Sequence, residues 1–308
     1  MSDAVRYLNR KEIDTEKWDR CIRESSNGLI YGYSFYLDAM ALNWDALVMG
    51  DYEGVMPLPW NKKYGIYYLH QPFFTACLGI FGKNPGEERI KEFIRHIPEK
   101  FKLVEIDLNQ GNNLSIPPTS FRSRNNYILH IHKPYEEIFS GYRDHVKRNC
   151  KKAKQLNCRY SNTVSIDEIL RLSLQQMGKI SKLSSGDYDR FKKLFTTLKV
   201  QGKALCCGVF TEQNELAASC VYFFSHNRAY YILVGNPPDG KTTGASHYLI
   251  DRFIFEQAGK NLTIDFEGSD NKNLAFFYSS FGAELETYPR LTINRLPWWA
   301  KLFKKSSR

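Results

Sequence analysis

The sequence predicts an α/β chain of the α+β kind, built as two similar halves, each a mixed, largely antiparallel sheet flanked by helices. Three observations predict it. Both halves run through the same order of patterns: helices, a strand meander, a helix, a strand. The meander strands are joined by short polar turns, GDYEG in the first half and TEQNE and SHNR in the second, and connections that short join antiparallel neighbours. The 308 residues suffice for two domains of ordinary size. No residue-level repeat accompanies the repeated order, so the expected duplication is structural. The expected division is 1–133 and 134–308, with a hinge at 130–133.

In the first half, apolar residues at helical spacing predict helices over 15–24 and 34–41. Alternation predicts the hairpin strands 46–49 and 55–58, and a further strand over 65–70. A helix over 87–97 and strands over 103–108 and 127–132 complete it. In the second half one helix is expected across 134–157, from apolar positions at Tyr135, Ile138, Phe139, Tyr142, Val146, Cys150 and Ala153. A helix over 166–177 follows, then one over 188–198 with Ser184, Ser185 and Asp187 available to cap it. Strands 204–210, 216–224 and 229–234 form the meander. A helix over 247–257, a strand over 262–266 and a helix carrying Leu274, Phe277, Tyr278 and Phe281 at i, i+3, i+4 and i+7 close the half.

Hydrophobic residues make up 43% of the chain and charged residues 25%, a globular composition. No apolar run approaches the ~20 residues that span a bilayer, and the start MSDAVRYLNRKEIDTEK is too polar for a secretory signal. A cytoplasmic protein is expected, with the inner membrane surface as an alternative place of work. The seven cysteines are odd in number and lack CxxC or Cys/His ligand spacing, so they are expected as structural thiols. His70, His130 and His132 show no ligand spacing either, and no metal site is expected. The net charge of +10 favours an anionic partner: a phosphate, a nucleic acid or a membrane surface.

The residues able to carry chemistry concentrate in 229–288. Strand AYYILVGN runs into PPDGKTTGAS and then a helix. Small residues at a helix N-terminus leave backbone N–H groups pointing outward, where an anion is stabilised. Lys241 adds a point charge, Thr242, Thr243 and Ser246 add hydroxyl donors, and Gly244 and Ala245 allow close approach. The next strand is TIDFEGS. Alternation expects Asp265, Glu267 and Ser269 on one face, and Glu267, at the strand end, is the expected general base for an amine nucleophile. Tyr278, on the helix that follows, can donate a proton to a leaving thiolate or alkoxide. A basic helix over 142–154 offers Arg143, Lys147 and Arg148 to an anionic substrate. Each has a plainer alternative: an ordinary helix start, a salt-bridged carboxylate, a core tyrosine, a solvated helix face.

The strand–KTTGAS–helix unit resembles the acyl-CoA pyrophosphate loop of the GNAT N-acyltransferases, with Lys241, Gly244 and Ser246 at the motif positions. The run Asn273-Leu-Ala-Phe-Phe-Tyr278-Ser-Ser-Phe-Gly resembles their helix that ends in the tyrosine protonating the departing CoA thiolate. The basic helix and the phrase DFEGSDNKNLAFFYSSFGAE are similar to FemAB-like, tandem-GNAT proteins, a branch that includes transferases using aminoacyl-tRNA on cell-wall precursors. The resemblance implies two GNAT-like domains, an acyl-CoA donor (acetyl-CoA or longer) on 241–246, a small-molecule or peptide-like amine acceptor, and Asp265 and Asn273 among the substrate contacts. The first half has no KTTGAS-like loop, so one donor site is expected. Two rivals stand beside this reading. One is an aminoacyltransferase using tRNA. The other is a non-catalytic protein held at a membrane by the tail LPWWAKLFKK, through Trp298 and Trp299.

Overall fold

The computed structural model describes residues 4–83, 85–115, 120–177, 183–237, 243–268 and 270–299. The chain forms two compact units, Met1–Arg124 with Thr287–Arg308, and Asn125–Glu286. The expected division at 133/134 is a single cut; the compact units interleave, because the C-terminal strand returns to the first.

The first unit contains β1 (Val5–Leu8), α1 (Thr15–Glu24), α2 (Ser34–Met40), β2 (Trp44–Met49), β3 (Gly54–Lys63), β4 (Ile66–His70), β5 (Phe81–Gly82), α3 (Glu87–Arg95) and β6 (Phe101–Asp107). The strands order as β1-β2-β3-β4-β6, with β5 on β3. Only β4–β6 is parallel among these pairs. Asp14 starts α1 by accepting the N–H groups of Glu16 and Lys17, both at 3.1 Å, a cap that contributes about 1 kcal/mol.

The second unit contains β7 (Phe121–His130), α4 (Tyr135–Ser140), α5 (Asp144–Gln155), β8 (Arg159–Ser161), α6 (Ile166–Met177), α7 (Ser185–Val200), β9 (Ala204–Phe210), β10 (Leu216–Ser225), β11 (Arg228–Val234), α8 (Ala245–Gln257), β12 (Thr263–Asp265) and α9 (Lys272–Ser279). A last strand, β13 (Glu284–Asn294), crosses back to pair with β6 through residues 290–294. The order here is β7-β12-β11-β10-β9-β8, with β11–β12 the parallel pair. Successive side chains point to opposite faces, and both faces are covered. Tyr222 stacks on Phe253 of α8, while Phe223 stacks on Phe191 of α7. All four rings are fully buried, each adding roughly 2 kcal/mol of apolar burial.

The expected single helix over 134–157 is two. Gly141 caps α4, and the Arg143 N–H goes to Ser280 O (2.9 Å) instead of an intrahelical carbonyl. The break brings the start of α5 against the end of α9. The strands β1, β5, β8 and β13 were not expected. The expected strand over 262–266 shortens to β12, and its shortening shapes the site.

Candidate active site

The site begins where two strands part. β11 and β12 pair over 228–230 and 263–265. The next N–H, of Phe266, turns to Tyr127 O at 3.0 Å. The chain therefore follows β7 and leaves β11, whose residues 231–234 run on without it. Tyr231 stands on one lip and Phe266 on the other. Tyr278 of α9 fills the gap, stacked on Phe266 (4.5 Å, 14°) and edge-on to Tyr231 (6.4 Å, 84°).

Glu267 and Gly268 follow with φ of 61° and 84°. Glutamate in this left-handed region costs roughly 1–2 kcal/mol, so something must hold it there. The Glu267 N–H donates to Asp265 Oδ1 (2.9 Å), and the Gly268 N–H donates to Asn126 Oδ1 (2.6 Å). The expected alternation therefore fails after Phe266: Glu267 does not continue a strand face shared with Asp265, and Ser269 lies outside the described residues. The turn brings Glu267 within electrostatic reach of Tyr278. Burial first, and the Glu267 charge second, push the Tyr278 phenol well above its ordinary value. The hydroxyl thus carries its proton throughout the neutral range, the state a proton donor requires.

Asp265 has a different task. The pleat places it with Arg228 on the face opposite Phe266 and Tyr278. Arg228 Nη1 donates to Asp265 Oδ2 (2.8 Å), and Arg228 Nη2 donates to Glu286 Oε1 (2.9 Å). Asn126 Nδ2 donates to Asp265 Oδ1 (2.9 Å) and Glu286 Oε2 (3.3 Å). Asn273 is exposed on the first turn of α9, its N–H on Asn271 Oδ1 (2.9 Å).

The expected donor loop is described from Thr243 onward; Lys241 and Thr242 lie outside the described residues. Gly244 precedes α8 with φ of 78°, and a Cβ there would lie 2.4 Å from Asn149 O of α5. Only glycine fits on both counts. Thr243 Oγ1 accepts the Ala245 N–H (3.3 Å), and Ala245 itself is fully buried. Ser246 Oγ accepts from Asn236 Nδ2 (3.4 Å), and Asn236 Oδ1 accepts the Ser219 N–H (3.1 Å). Asn236 thereby ties the start of α8 to β10.

On α5, the Arg143 guanidinium lies 4.9 Å from the Phe276 ring, and Arg148 is exposed. Lys147 Nζ donates to Ser140 O (2.9 Å). Two histidines absent from the sequence reading stand here. His145 stacks on Phe276 (5.1 Å, 12°), and His247, in the first turn of α8, lies 5.9 Å from His145 and 4.8 Å from Phe277. Burial, helped by His145, pulls the His247 imidazole down to about 4. Each begins a helix beside an aromatic, a pattern visible in the sequence but without ligand spacing.

Among the described residues no group of three or more His, Cys, Asp or Glu could hold a metal ion, and no helix is long and apolar enough to cross a membrane. None of the cysteines among the described residues forms a disulfide, and five of them are buried. A cavity of about 370 Å³ lies in the first unit, lined by residues including Lys17, Arg20, Lys83 and Arg89. It contains none of the residues singled out above.

The fold is shared with known structures. The chain has the fold of FemX, superposing with a TM-score of 0.68 at 12% identity over 97% of this chain and 100% of that one. It also superposes on L-PGS from Bacillus licheniformis, at a TM-score of 0.55 and 11% identity over 94% and 95% of the chains. A protein of unknown function from Bacteroides thetaiotaomicron gives 0.56 at 11% identity, over 91% and 97%. No family model matches the sequence, and no curated protein does.

Proposed function

We propose that the second unit catalyses acyl transfer from a thioester of the acyl-CoA type to an amine. The observation that carries this reading is the juxtaposition of Glu267 and Tyr278 at the parting of β11 and β12. In this reading the donor's phosphates lie on the turn over 241–246, and its thioester reaches the gap beside Tyr278. Glu267 takes a proton from the acceptor amine, directly or through one water. The nitrogen forms its bond to the carbonyl carbon, the C–S bond breaks, and Tyr278 protonates the departing thiolate. Arg143 and Arg148, both exposed on the α5 side, suit an anionic group of either substrate.

An aminoacyl-tRNA donor is the second reading, carried by the sequence resemblance to FemAB-like proteins and in keeping with the shared fold of FemX over 97% of this chain and 100% of that one. The sulfur leaving group is then replaced by a ribose oxygen, and the same two residues serve. The exposed Trp298 and Trp299 support contact with a membrane surface, where an amine-bearing acceptor could be met. Thermal denaturation with acetyl-CoA, longer acyl-CoAs and aminoacyl-tRNA separates these readings. A ligand at about 100 times its dissociation constant adds about 2.7 kcal/mol. A shift with an acyl-CoA is expected. A shift with aminoacyl-tRNA alone moves the conclusion to the second reading, and no shift with any of them overturns both.

A further inference from the structure

We infer that Asn126, acting with Asp265, is the positioning residue for Glu267, so that the base is set by a buried network on the far face of the sheet. This rests on the reading of Glu267 as the base. Glu267 is a non-glycine residue with φ of 61°, followed by Gly268 at 84°. Beyond Phe266 no strand pairing holds this segment; two side-chain oxygens do. Asp265 Oδ1 accepts the Glu267 N–H and Asn126 Oδ1 accepts the Gly268 N–H. Asn126 Oδ1 also accepts the Tyr127 N–H (2.8 Å), which locks its amide orientation. Its Nδ2 group faces the two carboxylates of Asp265 and Glu286, and only an amide offers an acceptor on one side and donors on the other.

Arg228 completes the arrangement by bridging both carboxylates. One guanidinium against two carboxylates, all largely buried, leaves the Asn126 amide as the further donor to both. Each member therefore restrains the next: Arg228 holds Asp265 and Glu286, they orient Asn126, and Asn126 with Asp265 bends the chain at Glu267. The residues come from β7, β11, β12 and β13, so the turn reports on four strands at once. Asp265 is thus assigned to positioning rather than to contact with substrate.

The experiment reads the side chain, not turnover. Tyr278 is replaced site-specifically by 3-fluorotyrosine, and its 19F resonance is recorded at neutral pH. Glu267→Gln removes the neighbouring charge and defines the displacement that loss of Glu267 produces. Asn126→Ala is expected to give at least half of that displacement, because the carboxylate swings away. Glu286→Gln, which leaves both turn acceptors in place, is expected to leave the resonance unmoved. A folded Asn126→Ala protein with the unaltered resonance overturns the inference. An unmoved resonance in Glu267→Gln overturns it as well, by showing that the carboxylate does not neighbour Tyr278.

Amide hydrogen exchange on the unmodified chain provides a check that no variant can obscure. The Glu267 and Gly268 amides are expected to be protected although they lie past the strand end; exchange at the rate of an open loop contradicts the network. If acyl transfer is observed, Asn126→Ala lowers kcat and leaves the donor KM within twofold. Transfer that is absent altogether removes the base assignment while leaving the 19F and exchange results to decide the positioning claim.

Discussion

Both units carry an antiparallel meander (β2–β4 and β9–β11) and then a helix and a parallel-paired strand, and they differ at the place where each parallel strand pair ends. In the second unit β12 leaves β11 after three residue pairs, and Tyr278 fills the space between them, stacked on Phe266. In the first unit the corresponding pair, β4 with β6, is sewn shut. Gln71 Oε1 accepts the Asp107 N–H (3.2 Å), and residue 78 then takes over, its N–H on Asp107 O (2.8 Å) and its carbonyl on the Asn109 N–H (2.8 Å). Three buried asparagines finish the closure. Asn27, Asn109 and Asn112 all donate to Ile80 O, at 2.8, 3.3 and 2.9 Å. Buried amides that satisfy backbone carbonyls leave no room for a ligand. In the proposed reading the second unit alone takes the donor: its strands separate around a tyrosine, whereas in the first unit side-chain amides span the strand ends.

That contrast can be broken at several points. Tyr278→Phe removes the proposed proton donor and has the largest expected effect, a loss of roughly 100- to 10,000-fold in turnover. Folding stability should change by less than about 1 kcal/mol, since the ring stays packed; steady-state kinetics beside a urea titration checks both. Gly244→Ala attacks the helix start of the open unit. Left-handed backbone and a Cβ 2.4 Å from Asn149 O together cost about 3 kcal/mol, and donor affinity should fall with it. A denaturation midpoint equal to that of the parent protein would show that α5 and α8 do not meet as described.

Asn109→Ala attacks the closed unit. It removes an amide that serves Leu78 O and Ile80 O and accepts from Asn27 and Gly111. The expected cost is about 2 kcal/mol, with donor binding by the second unit unchanged. Calorimetry on the variant checks this. The remaining effect is a pH dependence, spread over more than two pH units. The folded state keeps His247 neutral down to about 4, whereas the unfolded chain protonates it near the ordinary value of 6.5. Between these values the unfolded state binds more protons, so stability falls as pH falls, by at most about 1.4 kcal/mol per pH unit. His247→Gln should flatten the slope of stability against pH in that window and leave it unchanged above 6.5.

Much of the fold was legible in the sequence. α1, α6 and the meander β9–β11 stand within a residue or so of where the sequence pattern puts them, because helical spacing marks the helices and short polar turns bound the buried strands. Less legible were elements governed by long-range partners. β8 has three residues and shows no alternation, and β13 carries Pro289 and several charges, yet pairs because β6 and its neighbourhood supply acceptors and donors. The α4–α5 break depends on Ser280, distant in sequence. The site divides in the same way. The nearness of Glu267 and Tyr278 was legible because a strand end and the next helix lie close in the chain. Asn126 was not, since its partner Asp265 stands 139 positions away. Arg228 and Glu286 escaped for the same reason, their hydrogen bonds spanning 37 to 160 positions.

Hydrogen exchange of the whole chain with and without saturating acyl-CoA tests the central claim most directly. Slowed exchange over 243–248 and 266–278, with 78–112 unchanged, is the expected result. Slowed exchange in the first unit's closed segment, or in neither unit, would contradict the assignment of a single donor site to the parted strands.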